Sequence, residues 1–306
     1  MGYFRHDEYV ELTMHFKCNL KCEHCMIEGT MNWLKPESIQ QFHSVLELNA
    51  REKRWKGVIF TGAEVTLCKD LTQWARQAHQ NGFENVRIQT HGMKLADPDY
   101  CESLVDAGIN EYFISVTAAD GETHDEITGV PGSWEKTMAG MENLNRFSDI
   151  VMHTNTVITQ RSYRQLSQVI QRLHQLEKLV QFEFWNYWPM SESDGKDLIV
   201  PHAEALPEIR KAIQLADQLG KEIEIKNFPE CLLGRDSAAL NNSQPKLIID
   251  PAFWTEFNRN GFHQCRHRSS CQSTQCLGLN TAYINRYGWE ADMLTPIAAK
   301  DDGIPS

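Results

Sequence analysis

The sequence predicts an α/β protein, a partial (β/α)6 TIM-like barrel with a small C-terminal appendage. Two observations carry that reading. Short β-type runs alternate six times with helical stretches across residues 1–226, the arrangement that gives a parallel sheet covered by helices. After residue 226 the alternation stops, and the chain becomes loop-rich and cysteine-rich. Periodicity alone does not close or open the sheet, but six units rather than eight favour a partial barrel.

The predicted strands are 9–16 (YVELTMHF), 57–61 (GVIFT), 85–90 (NVRIQT), 111–116 (EYFISV), 151–158 (VMHTNTVI) and 181–188 (QFEFWNYW). All are rich in β-branched and aromatic residues. The first helix is predicted over 36–53, with Pro36 suited to an opening turn and Ile39, Phe42, Val45 and Leu46 on one face. Helices at 70–82 and 98–108 end on Gly82 and Gly108, natural helix stops. Stretches 133–147, 162–178 and 203–220 complete the set. Residues 227–290 read as a small domain organised by metal, with one short helix in LIIDPAFWTEFNRNGF, and 291–306 as a frayed tail.

The chain has 306 residues, 41% hydrophobic, and a formal net charge of −11. No apolar run is long enough to span a membrane, and MGYFRHDEY carries no secretory signal, so a cytoplasmic location is expected. The acidic balance argues against a nucleic-acid groove. Nine cysteines is an odd number without an export signal, which favours metal or catalytic roles over disulfides.

Three of these cysteines, Cys18, Cys22 and Cys25, form a C-x3-C-x2-C triplet just after the first strand, at the end of a parallel sheet where active sites are built. Three thiolates leave one position of a tetrahedral centre open. A zinc knuckle that borrows a distant fourth ligand is the alternative. TGAEVTL follows the second strand, on the same face. There Gly62 and Ala63 permit close backbone approach, and the Glu64 carboxylate is suited to an amino group; taken alone, an ordinary turn explains it as well.

Together the two motifs resemble the radical S-adenosylmethionine (radical SAM) superfamily. Weaker matches fall where that family has them: IQTHG with Thr90 and His91, FISVT with Ser115, TNTVI with Asn155 placed to meet a ribose, and the segment HDEITGVPGSWE. Departures are Ala63 for the usual second glycine, Val65 for the usual proline, and His24 for the frequent aromatic residue before the third cysteine. The resemblance implies a [4Fe-4S] cluster on Cys18, Cys22 and Cys25, with S-adenosylmethionine on its fourth iron and held by His24, Gly62, Ala63, Glu64, Thr90, Ser115 and Asn155. Reductive cleavage would give a 5′-deoxyadenosyl radical and hydrogen abstraction from a substrate.

Cys231, Cys265, Cys271 and Cys276 make a complete four-thiolate set, which suits zinc or iron–sulfur equally by spacing. Behind a radical SAM core the set resembles the auxiliary [4Fe-4S] cluster of a twitch-type SPASM domain, implying an electron relay or structural support. His263 and His267 flank Cys265 and are assigned to its surroundings. Cys68 is a candidate hydrogen-atom donor, with a buried packing role as the alternative, and Cys101 is assigned to packing. Trp185, Asn186 and Tyr187 are candidates to line a substrate pocket.

The expected function is hydrogen abstraction from a small molecule or peptide, leading to oxidation, epimerisation or crosslinking, with flavodoxin or ferredoxin as electron donor. The triplet begins at residue 18, which leaves no room upstream for a leader-binding domain and favours a small molecule or a peptide presented by a partner. The competing expectation is a non-catalytic electron-transfer or zinc-binding scaffold.

Overall fold

The computed structural model describes residues 5–27 and 33–298. Its centre is one all-parallel sheet of eight strands: β1 (Tyr9–His15), β2 (Gly57–Gly62), β3 (Asn85–Thr90), β4 (Glu111–Ser115), β5 (Val151–Ile158), β6 (Leu179–Asn186), β7 (Glu222–Lys226) and β8 (Lys246–Ile248). The order is β7-β6-β5-β4-β3-β2-β1-β8. Outside it lie α1 (Ile39–Glu52), α2 (Leu71–Gln80), α3 (Pro98–Asp106), α4 (Gly121–Thr128), α5 (Ser133–Leu144), α6 (Leu166–Leu173) and α7 (His202–Gln218), then the short α8 (Glu230–Leu233), α9 (Ala252–Phe257) and α10 (Thr281–Tyr287).

The six expected strands are present within two residues at each end. The helix expected from Pro36 starts instead at Ile39, because the Ser38 side chain accepts the Gln41 N–H at 3.1 Å and caps it there. Two further strands extend the sheet. Residues 222–226 alternate like an edge strand, whereas Lys246–Ile248 is only three residues long and carries no period of its own. After β7 the chain makes a parallel bridge between Ile225 and Leu240, and β8 then pairs with β1 at Val10–Leu12, at the opposite end of the strand order.

Apolar packing continues across the expected boundary at 226. Phe228, Leu232, Leu240, Leu279, Tyr283 and Leu294 belong to the same apolar core as the barrel strands. The His202 ring stacks on Tyr283 at 4.1 Å, and both hydrogen-bond to Glu290, at 2.6 Å each. Leu294 is buried, so the tail expected from residue 291 is packed through at least Ile297; residues 299–306 lie outside the described residues.

Strand alternation divides each strand between two faces. Val10, Leu12 and Met14 of β1 pack on the helical side, while Tyr9, Glu11, Thr13 and His15 face the barrel lumen. The lower lumen is lined by polar groups, with a cavity bordered by His6, Arg87, His153, Gln181, Glu183 and Glu224. Tyr9 donates to Glu111 at 2.8 Å, and Arg87 pairs with the same carboxylate at 2.9 Å. His6, Glu183 and Glu224 bring ligand-type atoms within 4.8 Å of one another, but the Lys226 ammonium, 2.9 Å from Glu224, already supplies the cation there. No described helix is long and apolar enough to cross a membrane.

Candidate functional site

The upper end of the lumen assembles the predicted residues. The loop that carries Cys18, Cys22 and Cys25 leaves β1 and is fixed from two sides. On one side, the turn after β2 donates Ala63 N–H to His15 O at 2.8 Å and Glu64 N–H to Lys17 O at 3.0 Å. Gly62 permits this approach: it adopts φ +143°, and a Cβ there would stand 1.8 Å from the His15 carbonyl oxygen. On the other side, Lys21 and Glu23 donate their N–H groups to the carbonyls of Thr128 and Ile127 at the end of α4. Gly129 closes that helix in the left-handed region, where a side chain would press on Lys21.

This gives HDEITGVPGSWE a physical role. The Asp125 carboxylate accepts from Gly132 N, Ser133 Oγ and Trp134 N, locking the α4–α5 corner whose carbonyls hold the cysteine loop.

The three thiols are half-buried and close enough to act on one another. Burial pushes the Cys22 thiol up to about 12, with Cys25 and Cys18 adding to the effect. Cys18 is raised mainly by burial, although the Leu20 N–H at 3.3 Å opposes it. Such a setting disfavours three bare thiolates and suits them to a shared cationic centre. The donor set therefore fits an iron–sulfur cluster held on three sides.

Orphaned polar atoms point into the adjoining lumen. Thr13 Oγ1, His15 Nε2 and Asn155 Oδ1 are buried without a hydrogen-bond partner among the described residues. Asn155 is in register with Ser115, and both side chains are half-buried on the lumen face, an arrangement suited to a polyol such as a ribose. Glu11 lines the same space. Burial pushes its carboxyl up to about 7, against the pull of the Arg87 charge and hydrogen bonds from Thr61 and Gln89.

Other expectations are redirected. Glu64 is fully buried, and its carboxylate accepts from Thr66 N and Oγ1, Thr90 Oγ1 and His91 N at 2.5–3.0 Å. Glu64 and Thr90 therefore tie the turn after β2 to the turn after β3. His91 extends that tie to Asn19 of the cysteine loop at 2.8 Å. The sequence marked Glu64 as polar but carried no sign of its direction. His24 sits inward near His124, with its pKa lowered to about 4 by burial first and then by the charges of His124 and Lys196.

Of the aromatic candidates, only Trp185 faces the lumen, 6.3 Å from Phe113. Asn186 instead donates to Asn227 O at 3.2 Å, and Tyr187 packs into the helix-facing core. Cys68 packs against that outer core beside Lys94 and Tyr100, and Cys101 is fully buried in it.

Cys231, Cys265, Cys271 and Cys276 line one cavity below α8. Each thiol accepts a backbone N–H: Cys265 from His267, Cys276 from Gly278 and Cys271 from Ile297, each at 3.4 Å, and Cys231 from Thr295. Burial raises the Cys231 thiol, and the other three thiols raise it further. Four mutually facing sulfurs with amide donors fit a closed metal or iron–sulfur site. Thr295 and Ile297 belong to the stretch expected to fray, so no cysteine pattern pointed to them.

The model of the Radical SAM superfamily matches residues 12–173. Among curated proteins, the chain is 28% identical over 186 residues to the AdoMet-dependent heme synthase of Methanosarcina barkeri, covering 60% of this chain and 52% of the relative. It is 30% identical over 173 residues to a probable GTP 3′,8-cyclase of Metallosphaera sedula, covering 55% and 52%. The chain thus spans about half the length of these relatives. Among solved structures, native anSMEcpe with bound AdoMet and Kp18Cys peptide superposes with a TM-score of 0.58 at 16% identity, covering 77% of this chain and 68% of that one. Streptococcus suis SuiB bound to precursor peptide SuiA gives 0.55 at 17%, covering 72% and 48%. At these identities the likeness is one of fold.

Proposed function

The chain belongs to the radical SAM superfamily, and from that membership we propose that it is an enzyme that abstracts hydrogen from a substrate seated in the upper lumen of its barrel. The single observation that carries this reading is the pair of hydrogen bonds sewing the Gly62–Glu64 turn to the loop of Cys18, Cys22 and Cys25. A zinc or electron-transfer scaffold has no need of such a turn beside its thiolates.

In this reading Cys18, Cys22 and Cys25 hold a [4Fe-4S] cluster and leave one iron for S-adenosylmethionine. When bound, the pair supplies the electron and the carbon-centred oxidant for taking hydrogen from a C–H bond. The chain's own residues do the rest. The exposed edge of the Gly62–Ala63 backbone meets the methionine end. Ser115 and Asn155 orient the ribose, while Glu64 and Thr90 keep the turns rigid from behind. Glu11, Thr13, His15 and Trp185 line the space left for substrate, where polar groups and one aromatic face position the reacting carbon and limit water. Both a small polar molecule and an extended peptide side chain match this lining. Cys231, Cys265, Cys271 and Cys276 hold a second cluster whose thiolates are all supplied by protein. That site serves electron transfer rather than substrate binding.

Anaerobic reconstitution tests the reading. It predicts roughly eight irons per chain, by the count of two four-iron clusters, and 5′-deoxyadenosine from S-adenosylmethionine plus dithionite. Bound zinc with no cleavage would return the scaffold.

A further inference from the structure

The four-cysteine cavity has one wall residue that its thiols do not account for. His267 borders it together with Cys231, Cys265, Cys271 and Cys276. The flanking Arg266 and Arg268 are exposed, whereas His267 between them is half-buried. Its backbone is fixed at both ends. His267 N–H donates to Cys265 Sγ at 3.4 Å, and its carbonyl accepts Ser270 N–H at 3.0 Å and the Ser270 hydroxyl at 3.2 Å. The ring nitrogen Nε2 is buried and has no hydrogen-bond partner among the described residues.

An imidazole nitrogen withdrawn from water costs free energy until something bonds to it, so the occupant of the adjoining space is its natural partner. Ser273, on the same wall, is already committed: its hydroxyl donates to Glu230 and accepts Cys276 N–H at 3.0 Å. The thiols do not take the ring nitrogen either, and each accepts a backbone N–H instead. A zinc ion would add no acceptor to this pocket. An iron–sulfur centre adds inorganic sulfides, which are anionic acceptors.

From this arrangement we propose that His267 sets the reduction potential of the second centre, by donating Nε2–H to one of its sulfurs. The proposal rests on reading the pocket as an iron–sulfur site. A donor directed at sulfur favours the reduced form, which carries the greater negative charge, and so raises the potential. Reduction is then a single-electron step. The centre gains the electron, the external reductant loses it, and the donated hydrogen stays on Nε2 with no bond made or broken.

The test uses the full chain, reconstituted anaerobically with iron and sulfide and titrated with dithionite in the presence of S-adenosylmethionine. Electron paramagnetic resonance follows the cluster signal that S-adenosylmethionine leaves unshifted, which reports the four-cysteine centre. In H267L the ratio of reduced to oxidised centre at a fixed potential should fall about tenfold, a lowering of about 59 mV for a one-electron couple. H267Q keeps an N–H donor and should recover most of that shift, which a loss of packing alone would not allow. H263N, at the exposed histidine on the other side of Cys265, should leave the potential unchanged. Wild-type protein isotopically labelled at its histidine ring nitrogens gives a reading that needs no variant: pulsed measurement of the same signal should show one weakly coupled imidazole nitrogen. Equal potentials in wild type and H267L, a loss that H267Q does not repair, or no coupled imidazole nitrogen would overturn the proposal. So would a coupling as strong as that of a direct ligand, which would put His267 on the metal. Metal analysis reads the assignment beneath separately. Zinc in the pocket would overturn the iron–sulfur reading and the proposal with it, whereas full iron with any of those results would fault His267 alone.

Discussion

The two cysteine groups of this protein are built by opposite means. Cys18, Cys22 and Cys25 lie within one eight-residue span, and their geometry is imposed from outside by the turn after β2 and the end of α4. Cys231, Cys265, Cys271 and Cys276 come from segments up to 45 residues apart, and each sulfur meets a backbone N–H within its own pocket. In the proposed reading the first arrangement leaves one side of its centre for a small molecule, whereas the second draws every ligand from protein.

The largest expected effect breaks the first site and spares the second. C22A should abolish 5′-deoxyadenosine formation to background while retaining about half the iron, by the count of one remaining four-iron cluster. C271A should lose a similar share of iron yet keep S-adenosylmethionine binding. Iron assay and isothermal calorimetry on both variants check this, and a C22A protein that still cleaves would place the chemistry elsewhere.

Next is the seam that supports the triplet. G62A forces a Cβ against the His15 carbonyl in a backbone region disfavoured for alanine, at a cost of about 1–3 kcal/mol. S-adenosylmethionine affinity should fall at least about tenfold, and iron in the four-cysteine pocket should be unchanged. E64Q leaves one of several buried donors without an acceptor and should cost about 1–3 kcal/mol in chemical denaturation, with the same sparing of the second site.

The smallest effect concerns pH. Glu11 has its pKa raised to about 7 in the folded chain, so between the unfolded value and that point the folded state binds more protons. Stability from this group therefore falls as pH rises through roughly 4.5 to 7, by on the order of 3 kcal/mol. E11Q should flatten that part of the profile measured by urea unfolding, and an unchanged slope would move Glu11 out of the lumen.

Much of this was legible in the sequence. Six strands were recovered because parallel strands buried on both faces carry dense β-branched and aromatic runs. The lysine–leucine–isoleucine strand β8 was not, since three residues cannot show a period and its pairing with β1 is wholly tertiary. Cys18, Cys22 and Cys25 are local in sequence, as are Cys265, Cys271 and Cys276, whereas Cys231 stands 34 residues before Cys265. The inward aim of Glu64 and Thr90, the outward turn of Asn186 and Tyr187, and the amide donors from Thr295 and Ile297 depend on contacts between distant segments. Spacing along the chain holds no record of those contacts. Gly129 is the exception: a glycine ending a helix after HDEIT marks the carbonyls that hold the triplet loop.

Electron paramagnetic resonance of the reduced, reconstituted chain, recorded with and without S-adenosylmethionine, tests the division between the two sites most directly. In C231A/C265A/C271A/C276A the remaining cluster signal should shift on addition of S-adenosylmethionine, because one iron of the triplet site is free to take it. In C18A/C22A/C25A the remaining signal should be indifferent to it. A shift in the second variant, or none in the first, would contradict the assignment of the open site to Cys18, Cys22 and Cys25.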